Sequence, residues 1–411
     1  MGGLDVNQPS SLALISAGYP PYMWGGVDVQ TYDLAHYLSA MGIKVTVFCG
    51  GATKPTVIRE ADNLTLYRLP ILNVPPRVLW FQLQNARRII RKLSEFDVVH
   101  SQHSSGSIYG LVKDKVGKPW VVSFHDHHFR RLVTYLSLKP WKFSLEDSFY
   151  YTIGYPVFDF LTRLEKLADH YIACGGAGLA DFLSFSKISP GKVTLIRNGV
   201  DLDRIHSIAS EESDENNNSH SSDSEFTIFN CGRLYATKGV EYLIRAMPLV
   251  LATNEKVKLK IFGKGPMEET LRTMIKSMRL EKNVTLEGHV PYRRLIKEMN
   301  RSTLAVFPTM VEVGASLAIM ETMACHKAVV AFDYPFTREV IEHKRTGYLV
   351  PSKNVPKLAN AISLLLEDGN LRKEIGENAF SNIHRNHDYR TVVQKYVEVY
   401  SRLITEGCTK S

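Results

Sequence analysis

The chain alternates short apolar segments with segments of helical period, and this alternation limits the folds open to it. Residues 12–16 form an apolar segment of strand length, residues 27–41 carry apolar side chains at helical spacing, and residues 44–49 again have strand character. A strand, a helix and a second strand in this order place both strands parallel in one sheet. Later apolar segments are also predicted strands: 97–101, 120–124, 170–174, 225–230, 257–262, 284–287, 304–307 and 328–332. The pattern predicts an α/β protein built on parallel sheets.

The alternation occurs on both sides of an acidic, polar stretch. With 411 residues the chain is long enough for two domains. Residues 210–225, SEESDENNNSHSSDSE, contain no apolar residue and are predicted to be disordered, because they cannot contribute to a core. We therefore predict four parts: a first domain over residues 1–203, a disordered acidic linker over 204–225, a second domain over 226–388 and a final helix within 389–411.

Composition excludes several classes of protein. Hydrophobic residues make up 44% of the chain and charged residues 22%, so both domains can bury a core. No apolar run reaches the length of a membrane span, and the first residues lack the pattern of a secretory signal. The 5 cysteines are scattered without a C-x-x-C pair. These features predict a cytoplasmic protein in a reducing compartment.

The net charge of +8 lies mainly in the first half of the chain and suits an anionic partner such as a membrane surface. Residues 78–93 have the pattern of a basic amphipathic helix, which either lies on an anionic membrane or packs one face on a sheet. Residues 129–169 are rich in aromatic and basic side chains; they are either an ordinary packed insertion or a flap facing acceptor or membrane. No nucleic-acid-binding signature occurs, so nucleic acid is not an expected partner.

One segment, residues 308–324, combines a strand end, a turn and a helix start. Gly314 allows close approach of the backbone to a ligand, and Ser316 fits the N-cap position of the helix. The unpaired N–H groups of a helix N-terminus suit a phosphate. Glu321, early in the helix, can accept hydrogen bonds from sugar or ribose hydroxyls. Alone, the pattern fits any strand–turn–helix of an α/β protein equally well.

Two cations, Arg233 and Lys238, lie between the strand predicted at residues 225–230 and the following helix. Cations are unfavourable at a helix N-terminus unless an anion joins them. The planar guanidinium of Arg233 and the compact charge of Lys238 both suit phosphate oxygens. The alternative is ordinary surface charge.

Two further groups contain side chains that can bind a metal ion. His125 and His127 are close enough on an extended chain to converge, whereas His125 and Asp126 point to opposite faces. No spacing typical of a zinc site is present. Asp201-Leu202-Asp203 stands just before the linker and is interpreted as a turn. No metal site is predicted.

The order and spacing of these motifs resemble glycosyltransferase family 4, the group 1 glycosyltransferases, which are retaining enzymes of the GT-B fold. The resemblance covers nearly the whole chain and is carried by PP…GG at residues 20–26, the strand ending at His125, NGVD from Asn198, GRL…KG from Gly232, GKGP from Gly263 and ETMA from Glu321. It implies two doubly wound Rossmann-like domains that face a central cleft. It also implies that the final helix crosses back to the first domain.

The resemblance implies a role for each matching residue. The residues that would bind the donor diphosphate are Arg233, Lys238, Gly25 and Gly26. The residues that would form the helix N-terminus near the phosphate are Gly314, Ala315 and Ser316. Glu321 would bind the nucleotide ribose, and His125 would lie beside the transferred sugar. No cofactor or metal is expected, because the two cations take the place of Mg²⁺.

The family pattern has two glutamates separated by seven residues, and this chain departs from it. Alignment on Glu321 places Val313 at the first glutamate, with Glu312 one residue earlier. Either the turn holds one extra residue or the first glutamate is lost. Because Gly314 makes a bulge sterically inexpensive, we predict that Glu312 points into the cleft as a catalytic residue and that Val313 packs away from it.

The expected function is retaining, metal-independent transfer of a sugar from a UDP- or GDP-sugar to a lipid-linked or other glycan acceptor. One alternative is a sugar-nucleotide epimerase of the same architecture, which would need acid/base carboxylates in the cleft and no acceptor surface. Another is a nucleotide-sugar-binding protein without turnover. The aromatic and basic residues of 129–169 favour transfer. The expected location is cytoplasmic, with peripheral attachment to the cytoplasmic membrane face as an option.

Overall fold

The computed structural model describes residues 8–22, 25–72, 74, 77–125, 155–211, 225–311, 314 and 316–408. The chain divides into two compact units. The first contains Met1–Asn198 together with Tyr389–Ser411, and the second contains Gly199–Asp388.

The first unit is built on an eight-stranded sheet. Its strands are β1 (Ser11–Ser16), β2 (Lys44–Ala52), β3 (Thr56–Ala61), β4 (Leu64–Pro70), β5 (Val98–Gln102), β6 (Trp120–Phe124), β7 (His170–Ala173) and β8 (Val193–Leu195). They are arranged in the order β3-β4-β2-β1-β5-β6-β7-β8. All neighbours are parallel except β3 and β4, which form an antiparallel pair at one edge.

The second unit is built on a six-stranded sheet in which every pair of neighbours is parallel. Its strands are β9 (Phe226–Cys231), β10 (Val257–Phe262), β11 (Val284–Gly288), β12 (Leu304–Phe307), β13 (Val329–Phe332) and β14 (Tyr348–Val350), in the order β11-β10-β9-β12-β13-β14. The strand order reverses beside β9, and ligands of such sheets bind at the carboxyl ends of the strands near that point. The predicted α/β class with parallel sheets is confirmed.

Helices connect the strands in both units. They are α1 (Gly26–Ala40), α2 (Arg77–Leu93), α3 (Lys113–Val116), α4 (Tyr155–Glu165), α5 (Gly176–Ser186), α6 (Leu202–Ser210), α7 (Val240–Thr253), α8 (Glu268–Ser277), α9 (Tyr292–Arg301), α10 (Leu317–Ala324), α11 (Val355–Glu367), α12 (Gly369–Asn386) and α13 (Tyr389–Cys408). The final helix, α13, belongs to the first unit, where Tyr389, Tyr396 and Tyr400 are buried in the core beside α1 and the sheet. Tyr400 Oη lies 2.7 Å from His100 Nδ1, and burial lowers the pKa of His100 to about 3.

The start of the predicted linker differs from the structure. Residues 204–210 belong to the helix α6 and not to a disordered segment. Asp201 caps this helix, because its Oδ1 accepts a hydrogen bond from the Arg204 amide at 2.9 Å. Ile205 and Ile208 are buried on one face, and this short apolar period stabilises the helix. Residues 212–224 of the predicted linker lie outside the described residues.

Glu165, the last residue of α4, is a buried carboxyl group in the first unit, with 6% of its surface exposed. Ser107 Oγ donates a hydrogen bond to Glu165 Oε1 at 2.6 Å. Burial raises the pKa of Glu165 to about 7, although the serine hydrogen bonds act in the opposite direction. The side chain is therefore held in its neutral form in the folded protein below that pH.

The Glu165→Gln variant is expected to gain stability over the wild type as pH rises. The pKa of Glu165 is higher in the folded protein than in the unfolded chain, so the folded state binds the proton more tightly. The stability of the wild type therefore falls as the pH rises through 7. Between about pH 5.5 and about pH 8.5 the difference in unfolding free energy should shift by about 2 kcal/mol in favour of the variant. Urea unfolding at both pH values measures it.

The matched control for this prediction is Glu95→Gln, because Glu95 is an exposed carboxylate in the same unit. It should show the same difference from the wild type at both pH values. A Glu165→Gln difference that does not change with pH would show that Glu165 is ionised in the folded protein.

Candidate functional site

The loops that follow β9 and β10 are fixed to each other at the carboxyl edge of the second sheet. The Gly232 amide donates to Phe262 O at 3.0 Å, and the Leu234 amide donates to Lys264 O at 3.0 Å. Gly263 has a φ of +130°, and a Cβ there would lie 1.9 Å from Gly232 O. Only glycine fits this crossing. The two loops therefore form a rigid base beside Arg233.

Arg233 and Lys238 both stand on this base, between β9 and α7. Arg233 is exposed and its guanidinium lies 5.2 Å from the centre of the Tyr235 ring. Lys238 is half-buried and ends the short 3-10 helix Ala236–Lys238, directly before Gly239 and α7. The structure thus places both cations at the carboxyl end of β9, next to the start of a helix.

Lys238 and Glu321 approach the same buried group. Burial raises the pKa of the Cys231 thiol; the negative charge of Glu321 raises it further, and the positive charge of Lys238 lowers it. The charges of both side chains therefore act on Cys231 at the end of β9. A cation of the β9 loop and a carboxylate of α10 thus act on one group, although 82 residues lie between Lys238 and Glu321 in the sequence.

The loop after β12 packs on the same region. The Met310 amide donates to Thr237 O at 2.8 Å. Gly239 has a φ of +65°, and a Cβ there would lie 2.1 Å from Pro308 O. The start of α7 and the turn that leads to α10 are therefore held in close backbone contact.

The helix α10 begins after Ser316, as the sequence pattern indicates. Ser316 occupies the N-cap position, but within the described part of the chain its hydroxyl makes no capping hydrogen bond. Gly314 lies in a bend just before it. Glu312, Val313 and Ala315 lie outside the described residues, so the roles of Glu312 and Ala315 stay predictions.

Glu321 is oriented by a residue that the sequence analysis missed. Glu321 is buried, with 6% of its surface exposed, and Tyr292 Oη donates a hydrogen bond to Glu321 Oε1 at 2.9 Å. Tyr292 starts α9, and the Arg204 guanidinium lies 5.0 Å from the centre of its ring. Nothing in the local sequence marks Tyr292, because the contact joins two helices that are distant along the chain.

In the first unit, Gly25 and Gly26 lie at the exposed start of α1. The Gly25 amide donates to Asp28 Oδ2 at 2.9 Å, and a Cβ at Gly18 would lie 2.1 Å from Asp28 Oδ1. The backbone N–H of Gly25, just before the helix, is therefore already hydrogen-bonded to a carboxylate of the same chain. A phosphate contact from the Gly25 amide would have to replace this bond, and the diphosphate-binding role of Gly25 and Gly26 stays a prediction.

His125 follows β6 at the carboxyl edge of the first sheet and is half-buried. Its Nε2 lies 2.7 Å from Gln102 Oε1 and 3.6 Å from Cys174 Sγ. Because an amide oxygen only accepts hydrogen bonds, the neutral imidazole carries its proton on Nε2. Gln102, a buried residue at the end of β5 that was not predicted, thus sets the orientation of His125.

The described residues contain no group of histidine, cysteine and carboxylate side chains able to hold a metal ion. His127 is outside them. His100 is bound to Tyr400 and Ser123 on the buried side of the sheet. Asp201 caps α6, which explains the D-x-D pattern without a metal.

The predicted amphipathic segment at residues 78–93 forms the helix α2. Phe81, Ile89 and Leu93 are buried, while the outer face is exposed and carries Leu83, Arg87, Arg88 and Arg91. Within the described part of the chain, no helix combines the length and the apolar character needed to cross a bilayer.

Comparison with solved structures defines the class of protein. HepE from Anabaena, solved in complex with UDP and glucose, matches with a TM-score of 0.71 and 19% identity over 96% of this chain and 100% of that chain. Glycosyltransferases of known structure, among them WaaG, match this fold along almost the whole chain. The chain has the GT-B fold.

Two family models match in sequence. Residues 24–204 match Glycosyltransferase Family 4, and residues 211–382 match Glycosyl transferases group 1. The chain belongs to the group 1 family of glycosyltransferases.

Relatives align along almost the whole chain. An uncharacterized glycosyltransferase of Methanocaldococcus jannaschii is 25% identical over 96% of this chain and 98% of its own length. The GPI3 subunit of the phosphatidylinositol N-acetylglucosaminyltransferase of Saccharomyces cerevisiae is 21% identical over 96% of this chain and 83% of its own.

Proposed function

We propose that this glycosyltransferase is a retaining, metal-independent enzyme that moves a sugar from a UDP- or GDP-sugar to a lipid-linked or other glycan acceptor. The observation that carries the proposal is that the charges of Lys238 and Glu321 both act on Cys231 at the end of β9, with Arg233 on the same loop as Lys238. This arrangement joins two cations suited to a diphosphate with a carboxylate suited to ribose hydroxyls. The UDP bound in the HepE complex favours a UDP-sugar as the donor.

Transfer breaks the bond between the anomeric carbon and the nucleotide diphosphate, so negative charge grows on the leaving phosphate. Cations already in place there lower the barrier without reorganising during the reaction. Arg233 and Lys238 supply this charge in the proposal, and a divalent cation is then not required. Glu321, oriented by Tyr292, binds the ribose and so fixes the position of the nucleotide.

The acceptor side of the proposal rests on the first unit. In the proposal, His125, held by Gln102, lies beside the transferred sugar. Glu312, a residue of the second unit, holds the sugar hydroxyls. The phosphatidylinositol in the name of the yeast relative supports a lipid-linked acceptor. The exposed arginines of α2 support attachment to an anionic surface on the cytoplasmic side of a membrane.

The donor is tested by thermal unfolding with a panel of UDP- and GDP-sugars. A ligand at one hundred times its dissociation constant adds about 2.7 kcal/mol to the stability of the folded state. We expect this stabilisation from UDP-sugars, and we expect Glu321→Gln to weaken it. The sugar nucleotides that stabilise are then incubated with acceptors in EDTA, where turnover should persist.

Glu95→Gln is the control for the loss of one carboxylate, since Glu95 is exposed and should bind donors as the wild type does. Absence of stabilisation by every sugar nucleotide would contradict the donor assignment. Turnover that disappears in EDTA and returns with Mg²⁺ or Mn²⁺ would contradict the proposal that Arg233 and Lys238 replace the metal.

A further inference from the structure

Arg68 is a buried cation at the carboxyl edge of the first sheet, and none of the roles above involves it. It lies in β4, opposite Cys49 of β2, which in turn lies opposite Ser16 at the end of β1. Only 7% of its surface is exposed. Its guanidinium reaches the turn that follows β1 and leads to Gly25, because Nη2 donates a hydrogen bond to Pro20 O.

Among the residues that the structure describes, the guanidinium has no carboxylate counter-ion. Its carbon atom lies 5.8 Å from the centre of the Tyr19 ring and 5.5 Å from the centre of the Tyr22 ring. Within the described ranges, Nη1 has no hydrogen-bond partner and no carboxylate forms an ion pair with Arg68. The nearby carboxylate of Glu60 instead accepts a hydrogen bond from Tyr19 Oη at 3.0 Å. A buried charge without an ion partner is costly, so the arrangement favours an anion that completes it.

The two tyrosines differ in their freedom to move. Tyr19 is fully buried and fixed through Glu60, so it forms one wall of the site. Tyr22 is 51% exposed and packs on Gly51, where a Cβ would lie 2.3 Å from its ring. Rotation of the Tyr22 side chain towards solvent would open the side of the guanidinium that its ring now faces, because the ring centre lies 5.5 Å from the guanidinium carbon. The site thus consists of the fixed ring of Tyr19, the guanidinium of Arg68 and the exposed ring of Tyr22.

We propose that Arg68, with the turn Tyr19–Tyr22, binds a phosphate group of the acceptor substrate. This inference rests on the proposed transferase function and narrows its acceptor class to phosphate-bearing molecules, either a lipid headgroup or a soluble phosphate ester. The planar guanidinium matches phosphate oxygens through two N–H groups. The turn that binds the phosphate is continuous with the Gly25-Gly26 loop, so the rest of the acceptor extends from there.

The test compares phosphate binding by the wild type, Arg68→Met and Arg68→Lys. The soluble probe is glycerol 3-phosphate, followed by titration calorimetry. The lipid probe is a vesicle containing phosphatidylglycerol, compared with one of phosphatidylcholine alone. Hydrogen bonds to charged groups predict a loss of roughly tenfold or more in affinity for Arg68→Met and a smaller loss for Arg68→Lys. The control Arg59→Met removes an exposed charge from the same hairpin and should bind as the wild type does.

If binding of glycerol 3-phosphate depends on Arg68, a soluble phosphate ester is a sufficient ligand. If only binding to the phosphatidylglycerol vesicles depends on Arg68, the ligand is a lipid headgroup. Either result supports the proposal. UDP binding, measured in parallel, should stay within about twofold of the wild type in all variants. Unchanged phosphate binding in Arg68→Met would overturn the inference. Equal loss of phosphate and UDP binding in both Arg68 variants would also overturn it, since Arg68 would then serve only the fold. A wild type that binds neither UDP nor GDP would instead contradict the proposed function.

Discussion

Replacement of Arg233 or Lys238 by alanine is expected to lower the rate of sugar transfer by about a hundredfold or more, the scale of a lost transition-state donor. Both side chains lie at the carboxyl end of β9 beside the start of α7. Charge on the leaving diphosphate grows during the reaction, so the loss should appear mainly in kcat. Steady-state kinetics with a UDP-sugar donor measure it.

Arg345→Ala is the matched control, because Arg345 is an exposed arginine of the same unit paired with Glu342. It should keep wild-type kinetics, as a surface ion pair contributes little. Near-normal turnover in both Arg233→Ala and Lys238→Ala would contradict the proposal that these residues bind the donor diphosphate. It would also remove the reason to expect metal-independent transfer.

The Gly239→Ala variant should lose roughly 3 kcal/mol or more of stability in the second unit. Two costs add. Alanine at a φ of +65° is strained, and its Cβ would lie 2.1 Å from the backbone oxygen of Pro308. Because that oxygen belongs to the turn between β12 and α10, relief of the clash must move the start of α7 away from this turn. Urea unfolding measures the stability loss, and UDP titration should show weakened donor binding.

The Gly117→Ala variant separates the two costs. Gly117 also has a φ of +65°, but no atom lies within 4 Å of a Cβ placed there. It should lose only about 1 kcal/mol, the cost of the backbone conformation. Equal losses in the two variants would show that the contact between Gly239 and Pro308 adds nothing to stability or to the site.

The parallel sheets were predictable because their strands are locally apolar. Segment 304–307 is apolar and segment 257–262 alternates apolar residues with lysines; both are short and followed by helical patterns. The antiparallel pair β3 and β4 was not predicted: β3 is exposed along its whole length, so it lacks the alternation of a half-buried strand. The helix α6 was hidden by the acidic stretch beside it, although Ile205 and Ile208 have helical spacing.

The candidate site was predictable only where a residue type and its place in a strand–loop–helix unit coincide, as for Arg233, Lys238 and Glu321. Tyr292, Gln102 and Arg68 carry no such signal. Each acts through a contact between elements distant along the chain: Tyr292 with Glu321, Gln102 with His125, and Arg68 with Pro20. Such contacts arise from tertiary packing, and no local pattern encodes them.

The transfer reaction is tested most directly by following an α-linked UDP-sugar by proton and phosphorus NMR in the presence of the protein and phosphate-bearing acceptors. We predict that UDP appears at the rate at which the donor is consumed and that a new α-anomeric signal grows in the product. A β-anomeric product would contradict retention. Conversion of the donor to an isomeric sugar nucleotide, or binding of the donor without any consumption across the acceptor panel, would contradict the transferase itself.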